Sequence, residues 1–205
     1  MTRGASLPVR LMPALPLVFV FPAGAEAHTA MEGSNHFTSG ILHPLLTPAH
    51  LLVLIALGIL LGQHSPLRMR VILRVFAPLA GIALGLTASG RIPGAHPAVL
   101  AAVALGAGAM VAFGKEPPPV LRWAIFAAGA VAIGLDSGVE TGTRTAAVTT
   151  LLGTWTGLLL FLFAIAYYAS LAAAQPRKWL HIALRVAGSW IAAISLLMLA
   201  FALRK

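Results

Sequence analysis

Two histidines and two carboxylates are the side chains in this sequence best placed to do chemistry. His43 and His50 stand seven positions apart. On a continuous α-helix that is about two turns, so both rings fall on one face. Asp136 and Glu140 stand four apart, one turn, and again share a face. Each pair sits in or beside a long apolar stretch. An ionisable group there is costly and normally faces a cavity or a partner. Imidazole nitrogen with carboxylate oxygen is a donor set for a divalent transition metal such as nickel, cobalt, iron or zinc. The bland alternative for the histidines is a bond to a backbone carbonyl. For the carboxylates it is a helix end solvated at the membrane interface.

Further residues bear on the same chemistry. Pro44 and Pro48 flank the first pair, and each frees a carbonyl one turn earlier. Such carbonyls are tolerated where they line a cavity; a simple kink is the alternative. His28, His36 and His96 are candidate accessory ligands. His28 would pair an α-amine with its imidazole if it began the mature chain. His64 and His181 fall on the opposite, cytoplasmic side. Thr149, Thr150 and Thr154 could line a path, although such threonines more often bond their own helix. The chain has no cysteine, which removes disulfides and thiolate sites. No phosphate loop, serine elbow or H-E-x-x-H motif occurs, so an enzyme is not expected.

The elements that must hold these residues are membrane helices. Apolar residues make up 59% and charged residues 9%, against about half and about a quarter in soluble domains. The expected fold is all-α: a polytopic bundle of about six transmembrane helices after a signal peptide. Residues 1–27 read as that leader, with Arg3 and Arg10 before a short apolar run and Ala25-Glu26-Ala27 as the cleavage site. The remainder, 28–205, reads as one transmembrane domain. Its spans fall at about 39–63, 71–89, 97–114, 120–141, 146–173 and 179–203. Arg68, Arg70, Arg74, Lys115, Arg122, Arg177, Lys178 and Arg185 cluster around the loops after spans one, three and five. That bias puts those loops in the cytoplasm and the mature N-terminus in the periplasm of a bacterial inner membrane. The net charge of +9 is therefore a topology signal and not a nucleic-acid footprint. Glycines four apart (Gly81 and Gly85, Gly134 and Gly138, Gly153 and Gly157) suit close helix approach.

The two motifs resemble those of the HupE/UreJ membrane proteins. That family's first span carries H-x5-D-H. Here His43 and His50 match, and Ala49 stands at the aspartate position. Its fourth span carries F-H-G-x-A-H-G-x-E. Gly134, Gly138 and Glu140 match; Ile133 and Ser137 stand at the histidine positions, and Asp136 at the alanine. The resemblance covers the layout of the whole mature chain. It implies a part in supplying nickel to hydrogenase or urease. Asp136 is then expected to replace the missing aspartate from across the cavity, giving a His43, His50, Asp136 and Glu140 site.

The expected function is transport of a divalent transition-metal ion, nickel or cobalt or similar, through a periplasm-facing site. The alternative is a non-transporting membrane subunit that binds metal or helps assemble a metalloenzyme. The expected partners are membrane lipid and the metal ion, with either a second copy of the chain or metalloenzyme maturation proteins.

Overall fold

A computed structural model of the protein describes residues 35–204, apart from 65, 66, 68, 91–93 and 139–142. The expected leader, His28 and Glu140 lie outside the described residues. Those described form seven α-helices and no strand. They are α1 (His36–Leu46), α2 (Pro48–Gly62), α3 (Met69–Ala88), α4 (Pro97–Phe113), α5 (Pro119–Asp136), α6 (Arg144–Ala174) and α7 (Lys178–Leu203). The protein is an all-α membrane bundle. Among the described residues α3, α5, α6 and α7 are long and apolar enough to cross a bilayer, and α1 with α2 makes a fifth if the bent pair is one span. Helix α4 has 17 residues, about 26 Å of rise, at the short end of the range for a span.

Local chemistry sets the helix starts. The side chain of Asn35 accepts from the Thr38 amide at 2.8 Å, and that of Thr143 accepts from Ala146 at 3.2 Å. Pro48, Pro97 and Pro119 open α2, α4 and α5, where a missing N–H has no intrahelical partner to lose. Helix α4 stops at Gly114, whose φ of 66° is left-handed. Arg185 of α7 donates from Nε to the Ala112 carbonyl there, at 2.9 Å.

Two expected helices end early. The first span was expected to be continuous over 39–63, but it breaks at Thr47, and α1 and α2 meet at a 74° bend. Proline pushes the residue before it out of the helical region, and Thr47 is extended, with φ −93° and ψ 106°. Pro44 has no such effect and stays inside α1. The fourth span was expected to reach residue 141, but α5 ends at Asp136. Ser137 leaves the helix, and its hydroxyl turns back to the Ile133 carbonyl at 2.7 Å. The helical face meant to carry both Asp136 and Glu140 therefore stops at the first of them.

Small residues bring the helices together, because lipid tails give no hydrophobic drive for helix association. A Cβ on Gly153 or Gly157 would overlap the carbonyl oxygens of Phe37 or Ile41, and one on Gly40 would overlap that of Thr150. This backbone contact locks α1 onto α6. Gly134 presses α5 onto α3, where a Cβ would lie 3.0 Å from the Ala80 carbonyl. Gly108 and Gly188 do the same for α4 and α7. Gly85, by contrast, has open space beside it. Helix α2 runs through the middle, with Val53, Leu54, Ala56 and Leu57 fully buried. Helix α7 leaves Trp190, Leu197 and Phe201 on the outer surface, as a lipid-facing helix should.

Candidate functional site

The break at Thr47 places His50 in the first turn of α2. Its ring is fully buried. From the other side α5 delivers Asp136, its last residue. Nε2 of His50 donates to Oδ2 of Asp136 across 2.9 Å. The two side chains are 86 residues apart in sequence, and the fold brings the start of α2 against the end of α5.

His43 completes a row. It lies on α1, and its ring meets that of His50 edge-on, with centroids 5.4 Å apart and planes at 69°. A shared face on one straight helix is not the cause, since the helix is broken between them. The bend itself brings the rings together. The order is His43, His50, Asp136, a series rather than a cage. Among the described residues no three histidine, aspartate or glutamate side chains form a group poised to hold a metal ion.

The helix ends supply the electrostatics. Asp136 sits at the C-terminus of α5, where the backbone carbonyls already carry partial negative charge. A carboxylate there needs a donor or a cation. His50 lies at the N-terminus of α2, where partial positive charge favours an approaching carboxylate. Asp136 keeps 27% of its side-chain surface exposed, so the pair runs from the surface of the bundle into its core. The other nitrogen of His50, Nδ1, is buried and has no hydrogen-bond partner among the described residues. It is a buried polar atom that nothing in the described fold uses.

Thr87 is a supporting residue that the sequence did not single out. Its hydroxyl lies 2.9 Å from the Ala83 carbonyl and 3.1 Å from that of Gly134. It ties α3 to the last turn of α5, just ahead of Asp136. A threonine within an apolar run gives no signal of this, because the partner is a backbone atom on another helix. Thr47 before Pro48 was readable as a break, from the dipeptide alone.

The other candidate residues lie elsewhere. His36 is exposed at the start of α1, and lines an opening of about 480 Å³ with Asn35, Thr143, Thr145 and Thr149. His96 caps α4, its Nδ1 accepting from the Ala98 amide at 3.2 Å. Thr149, Thr150 and Thr154 bond carbonyls of their own helix, those of Thr145, Ala146 and Thr150.

The family model described as HupE / UreJ protein matches residues 16–198. The chain belongs to the HupE/UreJ family. This is a transporter-like membrane family, associated with nickel or cobalt transport or with metalloenzyme maturation. No curated protein and no solved structure matches the chain. In this HupE/UreJ member the family's two fourth-span histidine positions, Ile133 and Ser137, are both buried. They stand on the turn that carries Asp136.

Proposed function

We propose that this protein moves a divalent transition-metal ion, nickel or cobalt, across the bacterial inner membrane. The mature N-terminus is periplasmic, and the ion enters from that side at His43, His50 and Asp136. Glu140, outside the described residues, is part of the proposal on sequence grounds alone. The observation that carries the reading is the fully buried His50, bonded to Asp136 with its Nδ1 unpartnered among the described residues. It sits where a broken helix meets the end of another. Transporters commonly build their sites on such interrupted helices. Below His50, α2 is sealed by Val53, Leu54 and Leu57, so passage requires α2 to move against its neighbours.

The alternative is a membrane subunit that binds metal for enzyme assembly without moving it. Ile133 and Ser137, standing where the family's fourth span has its two histidines, favour that reading. Purified protein in liposomes loaded with a metal-sensitive dye separates the two. The expected result is Ni²⁺ or Co²⁺ influx, cut at least about tenfold by His50→Ala, as loss of a main ligand or its orienting partner should do. Binding without influx would overturn transport in favour of assembly.

A further inference from the structure

We infer that His50 binds the ion through Nδ1, and that Asp136 is a positioning residue rather than a ligand. The inference rests on the metal-site reading above and assigns atoms within it. An ionised carboxylate only accepts hydrogen bonds. At 2.9 Å it takes the hydrogen of Nε2. In the neutral ring the lone pair is then on Nδ1, the buried nitrogen with no partner among the described residues. A metal at Nδ1 satisfies both nitrogens at once. A metal at Nε2 requires the carboxylate to turn away and leaves Nδ1–H as a buried donor without an acceptor.

His43 is the second imidazole at the site. It meets His50 with centroids 5.4 Å apart. With metal–nitrogen bonds of about 2.1 Å, two imidazoles on one ion at a tetrahedral angle place their centroids about 5.4 Å apart. Ordinary edge-to-face rings span the same range, so the assignment rests on the nitrogen and not on the distance. A carboxylate behind a ligating histidine fixes its tautomer and raises its basicity. The resulting site is nitrogen-rich at its centre. It selects late divalent ions such as nickel and cobalt over magnesium and manganese.

The test uses full-length protein in detergent micelles, ¹⁵N-labelled at histidine, with ¹¹³Cd²⁺ as the probe. His50→Gln identifies the His50 signals; if that variant does not fold, backbone-linked assignment of the labelled protein does. The expected result is ¹¹³Cd coupling to Nδ1 of His50 with the Nε2 hydrogen retained. Asp136→Asn should keep that coupling while Kd for Cd²⁺ weakens by about 10- to 100-fold. Coupling at Nε2, or no bound Cd²⁺, overturns the inference. Coupling at Nε2 with Ni²⁺ influx intact leaves transport standing. Coupling at Nδ1 without influx overturns transport and leaves this assignment.

Discussion

The hydroxyl of Thr87 in α3 lies 3.1 Å from the Gly134 carbonyl in α5, two residues before Asp136. Its one hydrogen is shared between that carbonyl and the nearer Ala83 carbonyl of its own helix, at 2.9 Å, so α3 is tied to the end of the helix that carries the carboxylate. Interhelical hydrogen bonds in membranes are worth about 0.6 kcal/mol on average and about 1.7 at most. Thr87→Val should therefore lower stability by that modest amount. It should lower metal uptake severalfold, because the Asp136 turn loses its anchor. Trp155→Phe is the control. Trp155 donates from Nε1 to the Ala77 carbonyl at 2.9 Å, a bond of the same class between α6 and α3. Its loss should cost similar stability and leave uptake unchanged. Unfolding and liposome uptake measured on both variants check this; equal uptake loss in the two would mean Thr87 has no positioning role.

Glycines with the same spacing should behave differently according to what they face. Gly153 has the Phe37 carbonyl against it, whereas Gly85 faces open space. Gly153→Ala must push α1 off α6, and overpacking of this kind costs about 1–3 kcal/mol. Gly85→Ala should change stability by no more than about 0.5 kcal/mol, as other unobstructed surface changes do. Equilibrium unfolding in mixed micelles gives both numbers. A Gly153→Ala variant as stable as the parent would show that the α1–α6 contact is loose.

The family motif offers a rescue. Asp136 bonds His50, the residue next to Ala49, which stands where the family's first span is expected to have its aspartate. Ala49 is the second residue of α2 and packs against the core at partial burial. A carboxylate there would also sit at the helix N-terminus, where the backbone favours negative charge. Asp136→Ala should reduce Ni²⁺ uptake at least about tenfold, the usual cost of losing an orienting carboxylate. Adding Ala49→Asp should restore a substantial part of it. Ni²⁺ influx into liposomes is the measurement. An Ala49→Asp change that restores nothing would show that the two positions do not exchange roles.

The fold class was legible because apolar runs of span length admit few other readings. The expected starts at about 97, 120 and 146 fall within two residues of the observed ones at Pro97, Pro119 and Arg144. The ends were less readable. The fourth expected span ran on to residue 141 because Ser137 and Gly138 are both tolerated in membrane helices. The hydroxyl of Ser137, turned back onto Ile133, accompanies an end that hydropathy does not register. At the candidate site the residue types were legible and the geometry was not. His43 and His50 were paired by a straight-helix argument, yet they meet across a 74° bend. The His50–Asp136 contact spans 86 residues, a separation on which local periodicity carries no information. Thr87 reaches the last turn of α5 through a backbone carbonyl, a contact that leaves no pattern in sequence.

The strength of the His50–Asp136 bond separates a working pair from incidental neighbours. His50 is fully buried and Asp136 about one-quarter exposed. Hydrogen bonds to charged groups are worth about 1.5–3 kcal/mol net, and partial exposure of Asp136 draws the figure towards the lower end. Single substitutions are poor measures, because each leaves the other group without its partner. A double-mutant cycle with His50→Ala, Asp136→Ala and the double variant removes that effect. The expected coupling energy is about 1–2 kcal/mol in metal-free protein, from the charged hydrogen-bond range discounted for exposure. The double variant should be more stable than the sum of the single losses suggests. Adding Ni²⁺ should stabilise the parent through binding to the folded state alone and leave the double variant unchanged. A coupling energy near zero would mean that the 2.9 Å contact does not order the imidazole, and the positioning role of Asp136 would fall with it.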